Sequence, residues 1–234
     1  MKRFAKVFIA FLLLTTACAT RVTKYEANPN LPVDGQINGH DYVDLGLPSH
    51  TLWATCNVGA TKPEEYGGYY AWGETVPKIV YSWENYKYAN GVYDKLKKYC
   101  FRSDYGSNGY TDQKNVLEKD DDPASSWGSR WCSPSKMQWD ELLQNTTYSW
   151  TDRKGVGGML FVGKNGQTLF LPAAGLYYNE EYNFSGRGGY YWSSSLGHNP
   201  SEAWHFSFNS GDYHAVGNII RSNGFSIRPV HGAN

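Results

Sequence analysis

Three consecutive serines, Ser193, Ser194 and Ser195, and two nearby histidines, His198 and His205, are the residues whose types could support hydrolytic chemistry. A histidine within hydrogen-bond reach of a serine hydroxyl can activate that hydroxyl as a nucleophile. No G-x-S-x-G segment surrounds these serines, and serine-rich strand ends are common. We therefore predict no catalytic residues, and an enzyme with relocated chemistry is kept as an alternative function.

Histidines and an acidic run are the residues that could hold a metal ion. The histidines never fall at a recognised ligand spacing, although His205 and His214 could face each other across a hairpin. The four carboxylates at residues 118–122 are the hard oxygen ligands that Ca²⁺ prefers, but such a run usually lies in a solvated loop. We predict no metal site and no cofactor, with calcium left as a possibility.

The N-terminal residues have the order of a secretory signal. Basic residues among the first six precede an apolar stretch at residues 7–14 that is too short to span a bilayer. Residues 15–18, Thr-Thr-Ala-Cys, resemble a lipobox in which Cys18 is lipidated, although the leucine stands one position early. Residues 17–19, Ala-Cys-Ala, fit cleavage by a signal peptidase instead.

These patterns divide the chain into a signal peptide at residues 1–19, a flexible linker at 20–35 and a single domain at 36–234. Cys18 is the predicted lipidation site, so we expect an exported outer-membrane lipoprotein on the periplasmic or cell-surface face. The lipid anchor would be its only contact with the membrane, because no other apolar run approaches membrane length.

Composition excludes one class of partner. The 22 basic and 22 acidic side chains give a formal net charge of zero and are scattered along the chain. A protein that binds nucleic acid normally carries a basic patch, so we predict no nucleic-acid partner. The 19 tyrosines, 9 tryptophans and only 3 methionines suit short strands and turns better than a helix bundle.

Three cysteines remain after the predicted leader. In an oxidising compartment Cys56, Cys100 and Cys132 can form one disulfide, and the spacing does not choose among the three pairs. We favour Cys56–Cys100, which leaves Cys132 free. No C-x-x-C spacing supports a zinc or thioredoxin-like site.

Patterns of hydrophobic and turn residues predict the elements of the domain. An opening hairpin joins residues 41–45 and 51–58, and a second joins 159–162 and 168–171 through an Asn-Gly turn. Ser135 begins a capping box that predicts the best helix of the chain. The other predicted elements are a short strand at 69–72, loops at 76–124 with a helical turn at 93–98, an alternating strand at 204–208, a turn at 210–212 and a closing strand at 225–230.

Six blocks of the chain resemble the Fibrobacter succinogenes major paralogous domain, which is common in exported proteins of gut Bacteroidetes. They are YVDLGLPSHTLWATCNVGA from Tyr42, YGGYYAWGET from Tyr66, SRWCSPSKMQWDELL from Ser129, LPAAG from Leu171, GGYYWSSS from Gly188 and GFSIRPV from Gly224. That family is similar to the C-type-lectin-like fold of formylglycine-generating enzymes. The resemblance implies an α+β fold with small twisted antiparallel sheets, one or two helices and long ordered loops.

The resemblance to the enzymes is incomplete. Their arginine-leucine-proline-threonine…tryptophan-glutamate block matches at Pro134, Ser135, Trp139 and Asp140, but Cys132 stands in the place of the arginine. The enzymes also use a cysteine pair near the C-terminus, and this chain has no cysteine after Cys132. Oxidase chemistry on a thiolate needs that sulfur, so the resemblance implies no such activity. The Glu-Pro-Asn, Gln-Pro-Asp and Trp-Asn-Asp segments of calcium-dependent lectins are absent as well.

The C-terminal third is rich in the residue types of recognition surfaces, where tyrosine provides rigid contact area and asparagine and serine provide adaptable hydrogen bonds. We predict a binding surface for an unknown protein or glycan ligand. Its residues are Tyr177, Tyr178, Asn179, Tyr182, Asn183, His198, Asn199, His205, Tyr213, His214, Asn218, Ser222 and Asn223. Alternatives are a structural envelope or fimbrial-tip component, and a variable protein of a diversity-generating retroelement, in which adenine-directed codon changes leave such residues.

Overall fold

The computed structural model describes residues 31–128, 130–211 and 214–232. Within these ranges the chain is an α+β domain made mainly of antiparallel strands, with one α-helix and long irregular segments, so the α+β prediction is confirmed. No helix in these ranges is both long enough and apolar enough to cross a membrane. The predicted signal peptide at 1–19 and the lipidation site Cys18 lie outside the described residues.

The elements are short and are numbered in chain order. The strands are β1 (Gly35–Ile37), β2 (His40–Asp44), β3 (Leu52–Ala54), β4 (Trp131–Cys132), β5 (Thr146–Arg153), β6 (Val156–Gly163), β7 (Thr168–Pro172), β8 (Leu176–Tyr178), β9 (Glu181–Asn183), β10 (Gly188–Leu196), β11 (Glu202–Asn209), β12 (His214–Ile220) and β13 (Val230–His231). The α-helix, α1, is Lys136–Asn145, and 3₁₀-helices occupy Trp83–Asn85, Ser107–Gly109, Lys119–Asp121 and Pro123–Trp127.

Antiparallel pairing joins strands that are distant in sequence. A five-stranded sheet has the order β1-β2-β3-β13-β4, so β13 lies between β3 and β4. Two three-stranded sheets have the orders β5-β6-β7 and β10-β11-β12, and β8 pairs with β9 as a separate hairpin. The pairing of β2 with β3 and of β6 with β7 confirms both predicted hairpins.

The β10-β11-β12 sheet separates two hydrophobic cores. Neighbouring residues of a strand point to opposite faces, so Trp192 enters one core and Tyr191 the other. The loop-side core contains Trp72 and Phe225 together with residues of the long irregular segment. The helix-side core contains Trp139 of α1 and residues of β2, β3, β6 and β7. Both faces of this sheet are therefore covered by protein.

This arrangement corrects the prediction for β11. Phe206 and Phe208 are buried in the helix-side core, as the alternating pattern predicts. The same pattern predicts that His205 and Ser207 face solvent, but they are only 7% and 3% exposed. That prediction is wrong because the loop-side core covers the second face of the strand. The third apolar residue of the pattern, Trp204, is only half-buried.

The predicted capping box begins α1. The hydroxyl of Ser135 accepts a hydrogen bond from the backbone N–H of Gln138, and the Gln138 side chain accepts one from the backbone N–H of Ser135. Both bonds satisfy N–H groups that a helix start leaves without partners. Trp139 and Leu142 point into the helix-side core at helical spacing, whereas Met137 is 79% exposed on the other face.

The long segment after Trp72 is held by a buried carboxylate instead of by regular structure. Asp121 accepts hydrogen bonds from the hydroxyls of Tyr88 and Tyr99 and pairs with Lys98 at 2.5 Å. Burial alone would raise the pKa of Asp121, but these donors outweigh it and lower the pKa to about 2. No helical turn spans the predicted residues 93–98: the backbone of Lys95 closes a single turn back to Val92, Leu96 pairs with Ala89, and Tyr99 has a left-handed φ of 56°.

Two fully buried arginines tie the C-terminal segment to the rest of the domain. The guanidinium of Arg221 donates to the carbonyl oxygens of Lys98 and Tyr99 at 2.8 and 2.9 Å. Arg228 donates to the side chain of Asn57 at 2.8 Å and to two backbone carbonyls at the end of β3. Burial lowers the pKa of both groups. The arginine of the GFSIRPV block therefore has a structural role.

All three cysteines in the described ranges are free, so the predicted Cys56–Cys100 disulfide is absent. The thiol of Cys100 is buried in the loop-side core and donates to the carbonyl of Arg102, whereas Cys56 contacts Thr55 beside the first sheet. Only Cys100 belongs to the loop-side core, so the two thiols lie in different parts of the domain.

Candidate ligand-binding surface

The β8–β9 hairpin carries five of the predicted binding residues. Its register places Tyr177 opposite Tyr182 and Tyr178 opposite Glu181. Asn179 begins the turn with φ of 52°, a left-handed conformation that asparagine adopts more readily than most residues. Asn183 ends the hairpin, so all five predicted residues lie within one small element.

Interlocked rings fix the hairpin side chains. The rings of Tyr177 and Tyr182 stack with their centroids 4.8 Å apart, and Tyr69 packs edge-on against both. The hydroxyls of Tyr69 and Tyr182 lie 2.8 Å apart, and both donate to the carbonyl of Ala174. Burial raises the pKa of Tyr69. The rings are therefore held in place before any ligand arrives.

The outer part of this element exposes large apolar groups. Tyr178 is 47% exposed, Tyr182 41% and Phe184, just after β9, 48%. Large apolar side chains that are exposed together on one short element often mark a binding site. We call the side chains of Tyr177, Tyr178, Tyr182 and Phe184 the aromatic surface.

The loop before Tyr81 exposes further apolar side chains. The backbones of Tyr81 and Asn179 exchange two hydrogen bonds, at 2.8 and 3.1 Å, which hold the end of this loop beside the hairpin. Ile79 in that loop is 85% exposed and Val76 is 70% exposed. Both residues escaped the sequence prediction, because single apolar residues in a loop show no periodic pattern.

Two predicted residues lie at the other end of β10. Gly175, just before the hairpin, pairs with Gly189 near the start of this strand, whereas His198 and Asn199 follow its last residue. The strand is about 26 Å long at the usual rise per residue. His198 packs edge-on against Trp204 at 4.9 Å, and Asn199 donates to Glu202. They do not join the aromatic surface.

His214 and Asn218 lie on β12, the edge strand of its sheet. The Nε2 atom of His214 is 2.7 Å from the hydroxyl of Tyr148, beside a pocket of about 210 Å³ that Trp150 and Asn209 also line. Asn218 is half-buried opposite Trp204. His205 is paired with Gly217, so the predicted pair of His205 and His214 does not form.

The remaining predicted residues do not form an open surface. Ser222 and Asn223 are 1% and 3% exposed, and His205 is 7% exposed. Sequence alone favours exposure for small polar residues, but this segment packs between β10 and the loop-side core, and the prediction that these three line a surface is wrong. Tyr213 lies outside the described residues.

Comparison with known proteins gives one match. Residues 162–230 match the family described as a domain of unknown function (DUF8237). The matched part is less than a third of the 234-residue chain and includes β7 to β12, and therefore the hairpin. No curated protein and no solved structure matches the chain.

The three consecutive serines have structural partners. The Ser193 hydroxyl accepts from the backbone N–H of Ser195 at 3.1 Å, and the Ser195 hydroxyl accepts from the backbone N–H of Lys136 at 3.1 Å. Within the described ranges, none of the three makes a hydrogen bond to His198 or His205. The structure therefore offers no assembled serine–histidine pair at this place.

Three of the four carboxylates in the acidic run at residues 118–122 use their oxygens within the protein. Glu118 pairs with Lys98 and Lys114, and Asp121 belongs to the tyrosine network described above. Asp122 accepts from Ser133 and from the backbone of Ala124. No group of three or more potential metal ligands is found among the residues that the structure describes. A calcium ion at the run would have to displace these donors.

Sequence reasoning missed Phe184 of the aromatic surface and also Tyr69, which packs against two of its tyrosines. Phe184 stands in the left-handed region with φ of 60°, and Tyr69 comes from a distant block of the chain. The only sequence signal for Tyr69 was the tyrosine-rich YGGYYAWGET block. That block does not show which of its tyrosines point toward the β8–β9 hairpin.

Proposed function

We propose that this chain is an exported, non-catalytic domain that binds a protein or glycan ligand through its aromatic surface. The observation that carries the proposal is the group of tyrosines on the β8–β9 hairpin, in which Tyr177 stacks on Tyr182 while Tyr178 and Tyr182 are exposed. Rigid tyrosines provide contact area at a small cost in conformational entropy, which is why recognition surfaces are rich in them. Asn179 and Asn183 add amide donors and acceptors beside the rings.

The finer fold belongs to the same proposal. We infer that the domain is a C-type-lectin-like major paralogous domain. Support comes from the six sequence blocks, from the capping box of α1 and from the small antiparallel sheets joined by long ordered loops. Domains of this kind vary in function through their loops, so the fold by itself selects no ligand.

Binding is tested by comparing single alanine variants on glycan arrays and on displayed libraries of envelope and host proteins. Tyr178→Ala and Phe184→Ala should each weaken the ligand selected by the parent chain about tenfold or more, as aromatic anchors commonly do. Tyr93→Ala is the matched control, because Tyr93 is 52% exposed and lies outside the aromatic surface. Equal affinities for all variants would place binding elsewhere and refute this site.

Export is tested separately. A fatty-acid probe should label the chain in a bacterial host, and the label should disappear in Cys18→Ser. Recovery of an unlabelled chain that begins at Thr20 would contradict lipidation and support cleavage after Ala19. With Cys18 lipidated, a flexible linker of about 15 residues would let the domain reach several nanometres from its anchor.

A further inference from the structure

A pocket of about 620 Å³ lies between β4, the start of α1 and the middle of β10. Its volume falls within the range of small-molecule sites. It shares no residue with the aromatic surface, so the inference drawn from it does not depend on the proposed function.

A β-bulge forms one wall of this pocket. The register between β10 and β11 shifts between Trp192 and Leu196. In this interval Ser194 does not pair with β11: its N–H donates to Pro134 at 2.8 Å, and its carbonyl accepts from Leu117 at 2.9 Å. Bulges re-aim side chains and often lie beside functional sites.

The bulge leaves one serine hydroxyl unused. The hydroxyls of Ser193 and Ser195 bind backbone N–H groups, as described above. The hydroxyl of Ser194 has no hydrogen-bond partner in residues 31–128, 130–211 or 214–232, although Ser194 is only 7% exposed and lines the pocket. This hydroxyl lines the pocket, where a ligand hydroxyl can bond it in place of water.

A buried carboxylate lies in the same pocket. Asp122 is 4% exposed, and burial raises its pKa in spite of hydrogen bonds from Ser133. Its Oδ1 atom accepts two hydrogen bonds, but its Oδ2 atom accepts only one, from the backbone N–H of Ser133. A carboxylate oxygen can accept about two, so Oδ2 can still receive a donor such as a ligand hydroxyl.

Two cations complete the lining. Lys119 and Arg130 are exposed side chains at the pocket, and neither forms an ion pair with a residue that the structure describes. A fitting ligand must therefore offer hydroxyl donors to Asp122 and Ser194 and a negative charge to the two cations. Anions such as chloride and sulfate lack the hydroxyl donors, and neutral sugars lack the charge. Arginine binds carboxylates with paired hydrogen bonds.

We propose that this pocket binds a saccharide that carries a carboxylate, such as a uronic acid. Isothermal titration calorimetry of the full chain with glucuronate, galacturonate, digalacturonate and N-acetylneuraminate should detect binding of at least one of them. Glucose and galactose should bind at least about tenfold more weakly, because they lose the charge-assisted hydrogen bonds. Affinity should also fall as salt rises, since the cations are exposed.

Variants locate the site. Arg130→Gln and Ser194→Ala should each weaken the acidic saccharide about tenfold, and neither should alter folding, because neither side chain has a partner to lose within the described residues. Lys164→Gln, in the exposed β6–β7 turn, is the control and should leave binding unchanged. Tyr178→Ala should also leave it unchanged, which separates this site from the aromatic surface.

Three results would overturn the proposal. They are no binding of any of the four acids, equal affinity for galacturonate and galactose, and binding that survives both Arg130→Gln and Ser194→Ala. If Ser194→Ala weakens binding only in step with a lower melting temperature, Arg130→Gln decides, because its exposed side chain does not contribute to the core.

Discussion

The imidazole of His205 packs edge-on against the ring of Phe225, with 5.5 Å between the ring centroids. This contact places a titratable group inside the loop-side core. Burial lowers the pKa of His205 to about 4, although a hydrogen bond with the backbone of Gly217 opposes the shift. The ordinary pKa of histidine in an unfolded chain is about 6.5.

Stability should therefore fall in mild acid. Between about pH 6.5 and 4 the unfolded chain binds a proton at His205 that the folded chain does not bind, so acid favours unfolding. The free energy of unfolding should fall by up to about 3 kcal/mol as the pH drops through this window. Above the window the contribution of neutral His205 to stability is complete. Urea titrations at pH 7, 5.5 and 4.5 measure the effect. His205→Gln should flatten the dependence, and an unchanged slope in that variant would assign it to other groups.

Core residues and residues of the aromatic surface should differ in their effect on stability. Phe206→Ala should cost about 3–5 kcal/mol, because Phe206 is fully buried between Trp139 and Phe161 and its loss leaves a cavity. Tyr178→Ala should change stability by about 0.5 kcal/mol or less, because the side chain is half exposed. Chemical denaturation of both variants tests this. Similar losses would mean that the aromatic surface belongs to the core.

One glycine should resist substitution. A Cβ atom at Gly189 would meet the ring of Phe208, so Gly189→Ala should destabilise the domain by about 1–3 kcal/mol. Gly217→Ala on β12 is the matched control, since its Cβ would meet only His205 at an ordinary contact distance of 3.5 Å. The melting temperature of Gly189→Ala should therefore be well below that of Gly217→Ala. The reverse order would contradict the packing described.

The cysteines should react as free but shielded thiols. Burial raises the pKa of Cys56 and Cys100 and that of Cys132 to about 12, so alkylation of the folded chain should be slow. Peptide mapping after unfolding without reductant should find all three labelled, and reductant should not shift the melting temperature. A protected pair of cysteines in that experiment would restore the disulfide that the sequence favours.

Local signals in the sequence predicted local structure well. The capping box at Ser135 and the Asn-Gly turn between β6 and β7 satisfy backbone groups within a few residues, so they work in any surrounding fold. The sequence predicted binding residues between Tyr177 and Asn183 but not the β8–β9 hairpin that holds them.

Predictions that needed the tertiary context failed. The alternation on β11 shows which residues share a face but not that a second core covers the polar face and buries His205. Residues 93–98 have helical composition, yet they form no helix. Residues on both sides of this stretch, Tyr88 and Tyr99, donate hydrogen bonds to the buried carboxylate of Asp121 instead. The charged pocket escaped prediction because Ser194, Asp122 and Arg130 come from separate parts of the chain and meet only in the folded domain.

The position of β13 has a consequence for how the domain is made. Val230 pairs with Trp53 on one side and with Cys132 on the other, so the first sheet cannot close until nearly the whole described chain has been synthesised. Contacts between such distant segments slow folding, because a large loop must be ordered before they form. Until then β3 and β4 present open strand edges to other nascent chains. Holding chaperones that shield those edges during synthesis should therefore raise the yield of native protein more than catalysts of disulfide exchange.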